Sequence, residues 1–217
     1  IGDPARERVS GLAFDNEENL WVTTYNAPEP LNVLNSEGTW SSFSVSSPGT
    51  LTDIVLDLQG FKWAPVFGSS GGVLVYDSGE SIQNRADDRQ RYINRNNSEI
   101  TGQANCILVD REGEVWVGTT EGPIIFDCGA DAIEEECIGV KRIVFQDSIG
   151  AFLLADQDIR VMAVDGANNK WFGTRNGVFV QSPDGEEQLA HFTESNSPLF
   201  DNQIQALAYD GQSGDMY

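Results

Sequence analysis

Five short apolar runs punctuate the chain, and each ends on an aspartate followed by a polar turn. They are Gly11-Leu-Ala-Phe-Asp15, Asp53-Ile-Val-Leu-Asp57, Cys106-Ile-Leu-Val-Asp110, Val161-Met-Ala-Val-Asp165 and Ala206-Leu-Ala-Tyr-Asp210. The three residues before each aspartate are apolar, and a short run apolar on both faces predicts a strand covered on both sides. The residues that follow, such as Asn16-Glu-Glu-Asn and Arg111-Glu-Gly-Glu, bond their own backbone or accept positive φ, which predicts a hairpin turn. A second strand then begins in Leu20-Trp-Val-Thr-Thr, Lys62-Trp-Ala-Pro-Val, Val115-Trp-Val-Gly-Thr and Lys170-Trp-Phe-Gly-Thr. Third strands are clearest at 120–126 and 175–180, and outer fourth strands are expected at 39–43, 142–145 and 188–192.

An aromatic stands six residues after the aspartate in four copies (Trp21, Trp63, Trp116, Trp171) and seven after it in the fifth (Tyr217). The aspartates lie 42, 53, 55 and 45 residues apart, a blade length with insertions. Periods of this size mark arrays whose units cannot bury their apolar faces alone. The fold predicted is therefore all-β, a β-propeller of four-stranded antiparallel blades. Its blades run roughly over 9–48, 49–100, 101–155 and 156–200, with the start of the next at 201–217. A hairpin open at Tyr217 reads as a fragment of a larger propeller, or as an edge through which two copies associate. The tryptophans, at a fixed place between apolar residues, are read as packing between blades. The aspartates are read as turn-formers. Neither Asp165-Gly-Ala-Asn-Asn nor Asp210-Gly-Gln-Ser-Gly-Asp carries the closing glutamate of a calcium loop, so neither metal nor cofactor is expected.

Composition narrows the partners. At 217 residues, 40% apolar and 22% charged, the chain has the makings of a true core. No run of 18 apolar residues occurs, so no membrane insertion is expected, and the first residues lack the features of a signal peptide. Thirteen basic against 34 acidic side chains give a net charge of −21, which argues against nucleic acid and leaves neutral or cationic partners and glycans. Cys106 reads as a small buried hydrophobe. Cys128 and Cys137 flank an acidic insertion and have two readings: a disulfide in an oxidising compartment, or two free thiols in the cytosol.

The stretch Ala104-Asn-Cys-Ile-Leu-Val-Asp-Arg-Glu-Gly-Glu-Val-Trp-Val-Gly-Thr-Thr-Glu-Gly resembles the two-component-regulator propeller repeat. Val164-Asp-Gly-Ala-Asn-Asn-Lys-Trp-Phe-Gly-Thr-Arg-Asn-Gly-Val-Phe and His191-Phe-Thr-Glu-Ser-Asn-Ser-Pro-Leu-Phe-Asp-Asn-Gln-Ile look like the propeller of the PorZ-like component of type IX secretion systems. So does the long second blade, with Leu74-Val-Tyr-Asp and Asp87-Asp-Arg-Gln-Arg. In the first two copies Thr23-Thr24 and Pro65-Val66 replace the repeat's Gly-Thr. The PorZ-like resemblance implies a non-enzymatic protein of the periplasm or cell surface. Its partners would be proteins of a secretion complex, with its sortase-containing attachment machinery, and anionic lipopolysaccharide on secreted cargo. The same repeat builds periplasmic sensors of hybrid two-component regulators, which would imply an oligosaccharide ligand and a signalling partner.

Candidate contacts fall in two places. Turns after the second strands and loops into the next inner strand should share one rim of the central channel: Tyr25-Asn26, Ser69-Ser70, Thr120-Glu121, Arg175-Asn176 and 196–202. Concave mouths with convergent polar groups favour ligands, and Tyr25, Arg175 and Asn176 offer a stacking face and hydrogen-bonding groups. The other place is the dense basic cluster Arg85, Arg89, Arg91 and Arg95, of which Arg89 and Arg91 are taken as ligand contacts. Catalysis has little to stand on: the single histidine, His191, falls in an outer strand, and no nucleophile or phosphate-loop motif appears. Acidic residues are plentiful enough for a glycosidase pair, but none is singled out.

Overall fold

The computed structural model describes residues 8–47, 49–68, 71–146 and 149–217. Strands dominate it, arranged as a row of antiparallel sheets. The first sheet joins β1 (Arg8–Phe14), β2 (Leu20–Tyr25), β3 (Leu31–Leu34) and β4 (Trp40–Phe43) in chain order. The second joins β5 (Thr50–Leu51) and β6 (Val55–Leu56), both paired to β7 (Lys62–Phe67), with β8 (Val73–Asp77) and β9 (Arg89–Ile93). The third holds β10 (Ala104–Val109), β11 (Val115–Thr119) and β12 (Gly122–Phe126), beside a separate hairpin of β13 (Ile143–Gln146) and β14 (Ile149–Phe152). The fourth is β15 (Val161–Val164), β16 (Lys170–Gly173), β17 (Val178–Gln181) and β18 (Gln188–Phe192). Repeated four-stranded antiparallel sheets are the propeller architecture the repeat predicts.

The sheets face one another through apolar clusters. Trp21, Leu31 and Phe43 of the first pack on Leu51, Ile54 and Leu74 of the second. Trp63 and Val75 meet Ile107, Val117 and Phe126 of the third. Trp116 and Leu108 meet Ile159, Met162 and Phe172 of the fourth. Each repeat tryptophan thus points at the next sheet, and Trp21, Trp63 and Trp116 are fully buried. Trp171, facing the short C-terminal hairpin, is only half-buried.

The aspartates explain the fixed six-residue spacing. One oxygen of Asp15 accepts the backbone N–H groups of Glu17 and Asn19 at 3.0 and 2.8 Å, shaping the turn. The other accepts the indole N–H of Trp21 at 2.8 Å. Asp57 with Trp63 and Asp165 with Trp171 repeat the bond at 2.8 and 3.0 Å. The third residue after Asp15, Asp57, Asp110 and Asp165 has positive φ: Glu18, Gly60, Gly113 and Asn168. In the fifth copy the positive φ falls one residue later, at Gly214, which matches the one-residue delay of Tyr217.

Four expectations are corrected. The inner strand of the first sheet is not covered on both faces: Leu12 and Phe14 are 60% and 69% exposed, with no described sheet packed on that side. The second inner strand splits into β5 and β6 because Pro65, opposite the gap, has no N–H to give; its carbonyl instead accepts from Thr52. Residues 142–145 do not extend the third sheet. They turn back on themselves as the β13–β14 hairpin, and the place of a fourth strand is held by one bridge between Ile125 and Val140. The fifth run forms no strand, only a bridge between Tyr209 and Met216. Cys128 and Cys137 are joined in a disulfide, and Cys106 is buried with its thiol.

Candidate ligand site at the mouth of the sheets

The position five residues before each aspartate is polar in all five copies: Ser10, Thr52, Asn105, Arg160 and Gln205. Next to it lies a buried residue, Leu51, Ala104, Ile159 or Ile204 in the last four copies. A strand alternates its faces, so a buried residue between polar ones sends its neighbours outward. Two of these side chains clasp the following sheet. Ser10 Oγ donates to the Leu51 carbonyl at 2.9 Å, and Asn105 Nδ2 to the Ile159 carbonyl at 3.0 Å. This signal was present in the sequence and pointed to Asn105, Arg160 and Gln205, which the motif reading passed over.

The Gly-Thr that ends the second strand builds the rim. A Cβ on Gly118 would stand 2.6 Å from Ile159 of the next sheet, and one on Gly173 would stand 2.7 Å from Ile204, so only glycine lets the sheets close there. The buried threonine then caps the turn. Thr174 Oγ1 donates to the Gly177 carbonyl at 2.9 Å and accepts the Asn176 N–H at 2.9 Å. The Thr174 carbonyl takes the Ile204 N–H, as the Thr119 carbonyl takes that of Ile159. The turn carrying Arg175 and Asn176 is fixed at both ends.

A cavity of about 450 Å³ and one of about 400 Å³ are the relevant hollows at this end of the chain. The larger lies between the fourth sheet and the C-terminal hairpin, lined by Trp171, Phe192, Leu199 and Leu207, and is an apolar gap between packing elements. The smaller is the mouth. Phe67, Gln103, Asn105, Thr120, Asp158, Arg160, Arg175 and Gln205 converge on it from the second, third and fourth sheets and the fifth run. Its centre is Asp158. Oδ2 accepts from Arg175 Nε at 3.0 Å and from Arg160 Nε at 3.2 Å, while Oδ1 accepts from Asn105 Nδ2 at 2.9 Å. Gln103 is spent on structure, its amide donating to the Val66 and Ala104 carbonyls.

The residues singled out from sequence fall apart spatially. Arg175 lines the mouth. Asn176 sits beside it, its Nδ2 donating to Gln157 Oε1 and its carbonyl paired with His191 Nε2. Tyr25 ends β2, half-buried and opposite Arg8, and is not among the residues lining the mouth. Ser69-Ser70 lies outside the described residues. Arg89 and Arg91 stand on β9, away from the mouth, and grip the disulfide loop. Arg89 pairs with Asp77 and Glu134, each at 2.9 Å. Arg91 donates to the carbonyls of Glu134, Glu135 and Cys137. Arg85 lies over the Phe43 ring at 3.8 Å and donates to the Ser42 carbonyl. His191 is stacked on Phe179 at 3.9 Å.

Residues 98–121 match the family described as two component regulator propeller. No curated protein matches the chain by sequence. The chain is similar to PorZ, an essential surface component of the type-IX secretion system of Porphyromonas gingivalis, with 28% identity and a TM-score of 0.82 over 94% of this chain and 29% of that one. It is similar to the extracellular domain of a hybrid two component system of B. thetaiotaomicron, with 19% identity and a TM-score of 0.62 over 96% of this chain and 25% of that one. A gluconolactonase of Xanthomonas campestris matches at 12% identity and a TM-score of 0.56 over 95% of this chain and 66% of that one. The last two share the fold alone. The resemblance read from the repeats is borne out, and the chain spans less than a third of PorZ.

Proposed function

We propose that this chain is a non-enzymatic binding and scaffolding propeller module of an exported bacterial protein, with a PorZ-like role in type IX secretion or at the cell surface. The observation that carries the reading is the PorZ likeness over 94% of the chain, far stronger in TM-score than the likeness to the hydrolytic propeller. The disulfide suits an oxidising compartment such as the periplasm or the cell surface. Protein partners would engage the outer surfaces, and a glycan would enter the mouth, where Arg175 with Arg160 is the first contact. Chemistry is disfavoured by the sole histidine, which is tied to Phe179 and the Asn176 carbonyl and does not line the mouth.

A second reading is the ligand-sensing ectodomain of a hybrid two-component regulator. The repeat match at 98–121 and the 96% coverage by the sensor domain favour it. Disruption of the gene in its source bacterium separates the two. The secretion role predicts cargo retained inside the envelope with transcription unchanged. The sensor role predicts normal secretion and loss of a glycan-induced transcript. An unaltered phenotype on both counts contradicts both.

A further inference from the structure

We infer that the mouth is a receptor for a carboxylate-bearing sugar, a uronic acid residue, held by Arg160 and Arg175; this rests on reading the chain as a glycan-facing binding module. The starting point is the odd behaviour of Arg160. At the same repeat position Ser10 and Asn105 reach across to the next sheet's backbone. Arg160 instead turns to Asp158 through Nε alone. Arg175 reaches the same Asp158 oxygen, also through Nε. Among the described residues, the terminal nitrogens of both guanidinium groups make no hydrogen bond or ion pair. Two planar forks that line the cavity are therefore anchored by one carboxylate, and their terminal N–H groups are left for a ligand.

Charge selects the ligand. Two arginines against Asp158 leave the site at +1 inside a chain of net charge −21. A monoanionic carboxylate neutralises that excess and matches the guanidinium fork. A phosphomonoester near −2 overshoots it and adds to the protein's own repulsion. The remaining lining suits a pyranose. Phe67, half exposed at the end of β7, offers an apolar plate for the ring face. Asn105, Thr120 and Gln205 supply polar groups for hydroxyls, and 400 Å³ lies at the small end of ligand cavities.

The test is calorimetric titration of the intact chain with glucuronate, an oligogalacturonate, glucose, a neutral oligosaccharide and glucose 6-phosphate. Glucuronate is expected to bind about tenfold or more tightly than glucose or glucose 6-phosphate, the scale of one charge-assisted hydrogen bond. Arg175→Gln and Arg160→Gln should each weaken it by a similar factor, while Arg142→Gln leaves it unchanged. Arg175 has a 60% exposed side chain, so its variant keeps the test sound even if Arg160→Gln disturbs folding. Tighter binding of the oligomer than of the monomer supports the inference and assigns a polymeric source; equal binding supports it with a single residue as ligand. Uronate binding that survives Arg175→Gln, or a preference for the phosphate, overturns it. Binding of only the neutral sugars also overturns it while leaving the binding-module reading intact, and that reading fails separately in the gene-disruption test.

Discussion

The two oxygens of each repeat aspartate serve different neighbours, and the third copy shows what happens when one is diverted. Asp110 gives Oδ2 not to Trp116 but to Lys170 of the next sheet, at 2.7 Å with both side chains fully buried. Trp116 Nε1 is left buried without a partner. A buried unsatisfied donor costs about 1–3 kcal/mol, so Trp116→Phe should destabilise less than Trp63→Phe by about that amount in urea unfolding. Equal losses would refute this assignment. Burial acts to raise the Asp110 pKa, but the Lys170 hydrogen bond and charge outweigh it and hold the carboxyl below the usual carboxylate range. Its stabilising effect is thus complete above the unfolded value of about 3.9 and is lost as pH falls through the folded value. Asp110→Asn, which strands a buried lysine, should cost about 3–5 kcal/mol at neutral pH and less in acid. A loss under 1 kcal/mol, or one independent of pH, contradicts the pairing. Burial dominates at Asp57 and raises its pKa, so that group contributes in the opposite sense.

At the scale of elements, the disulfide loop is the best-defined addition to the repeat. The loop between Cys128 and Cys137 leaves the third sheet and is held against β9 of the second by Arg89 and Arg91. Closing so short a loop contributes about 2–3 kcal/mol. Reduction should therefore lower the unfolding free energy measured in urea by that amount and raise amide exchange across 128–137, and unchanged exchange would show the arginines hold the loop alone. Such detail marks the limit of what sequence conveys. The repeat spacing revealed strands, turns and inter-sheet tryptophans, because a local period needs no knowledge of neighbours. Burial of Lys62 and Lys170 was illegible: each lies over the tryptophan of the preceding sheet, at 4.3 and 5.0 Å, a contact made only on stacking. Arg89 and Arg91 looked like a free basic cluster because their partners in the disulfide loop stand more than 40 residues away. Arg160 was visible as one polar member of a recurring position, but its release from the clasp was not.

Across the whole molecule, the row of sheets leaves its first face open among the described residues. Val9, Leu12, Phe14 and Trp40 are each more than half exposed on the first sheet. Large contiguous apolar patches invite association, so the chain should self-associate in a concentration-dependent way. Leu12→Glu with Phe14→Glu should return it to a monomer in sedimentation velocity; a monomer before substitution contradicts the expectation. The same stacking that buries Trp21, Trp63 and Trp116 against the next sheet draws Asn105, Arg160 and Gln205 of the later repeats into one mouth. The outer arginines, by contrast, are consumed in fastening the disulfide loop.

Binding measured on paired variants separates mouth from outer edge most directly. On a glycan array, the intact chain, Arg160→Gln with Arg175→Gln, and Arg89→Gln with Arg91→Gln would be compared at matched stability. The account predicts that the mouth pair abolishes glycan binding while the edge pair retains it. Binding that persists without the mouth arginines and disappears with the edge pair would contradict it.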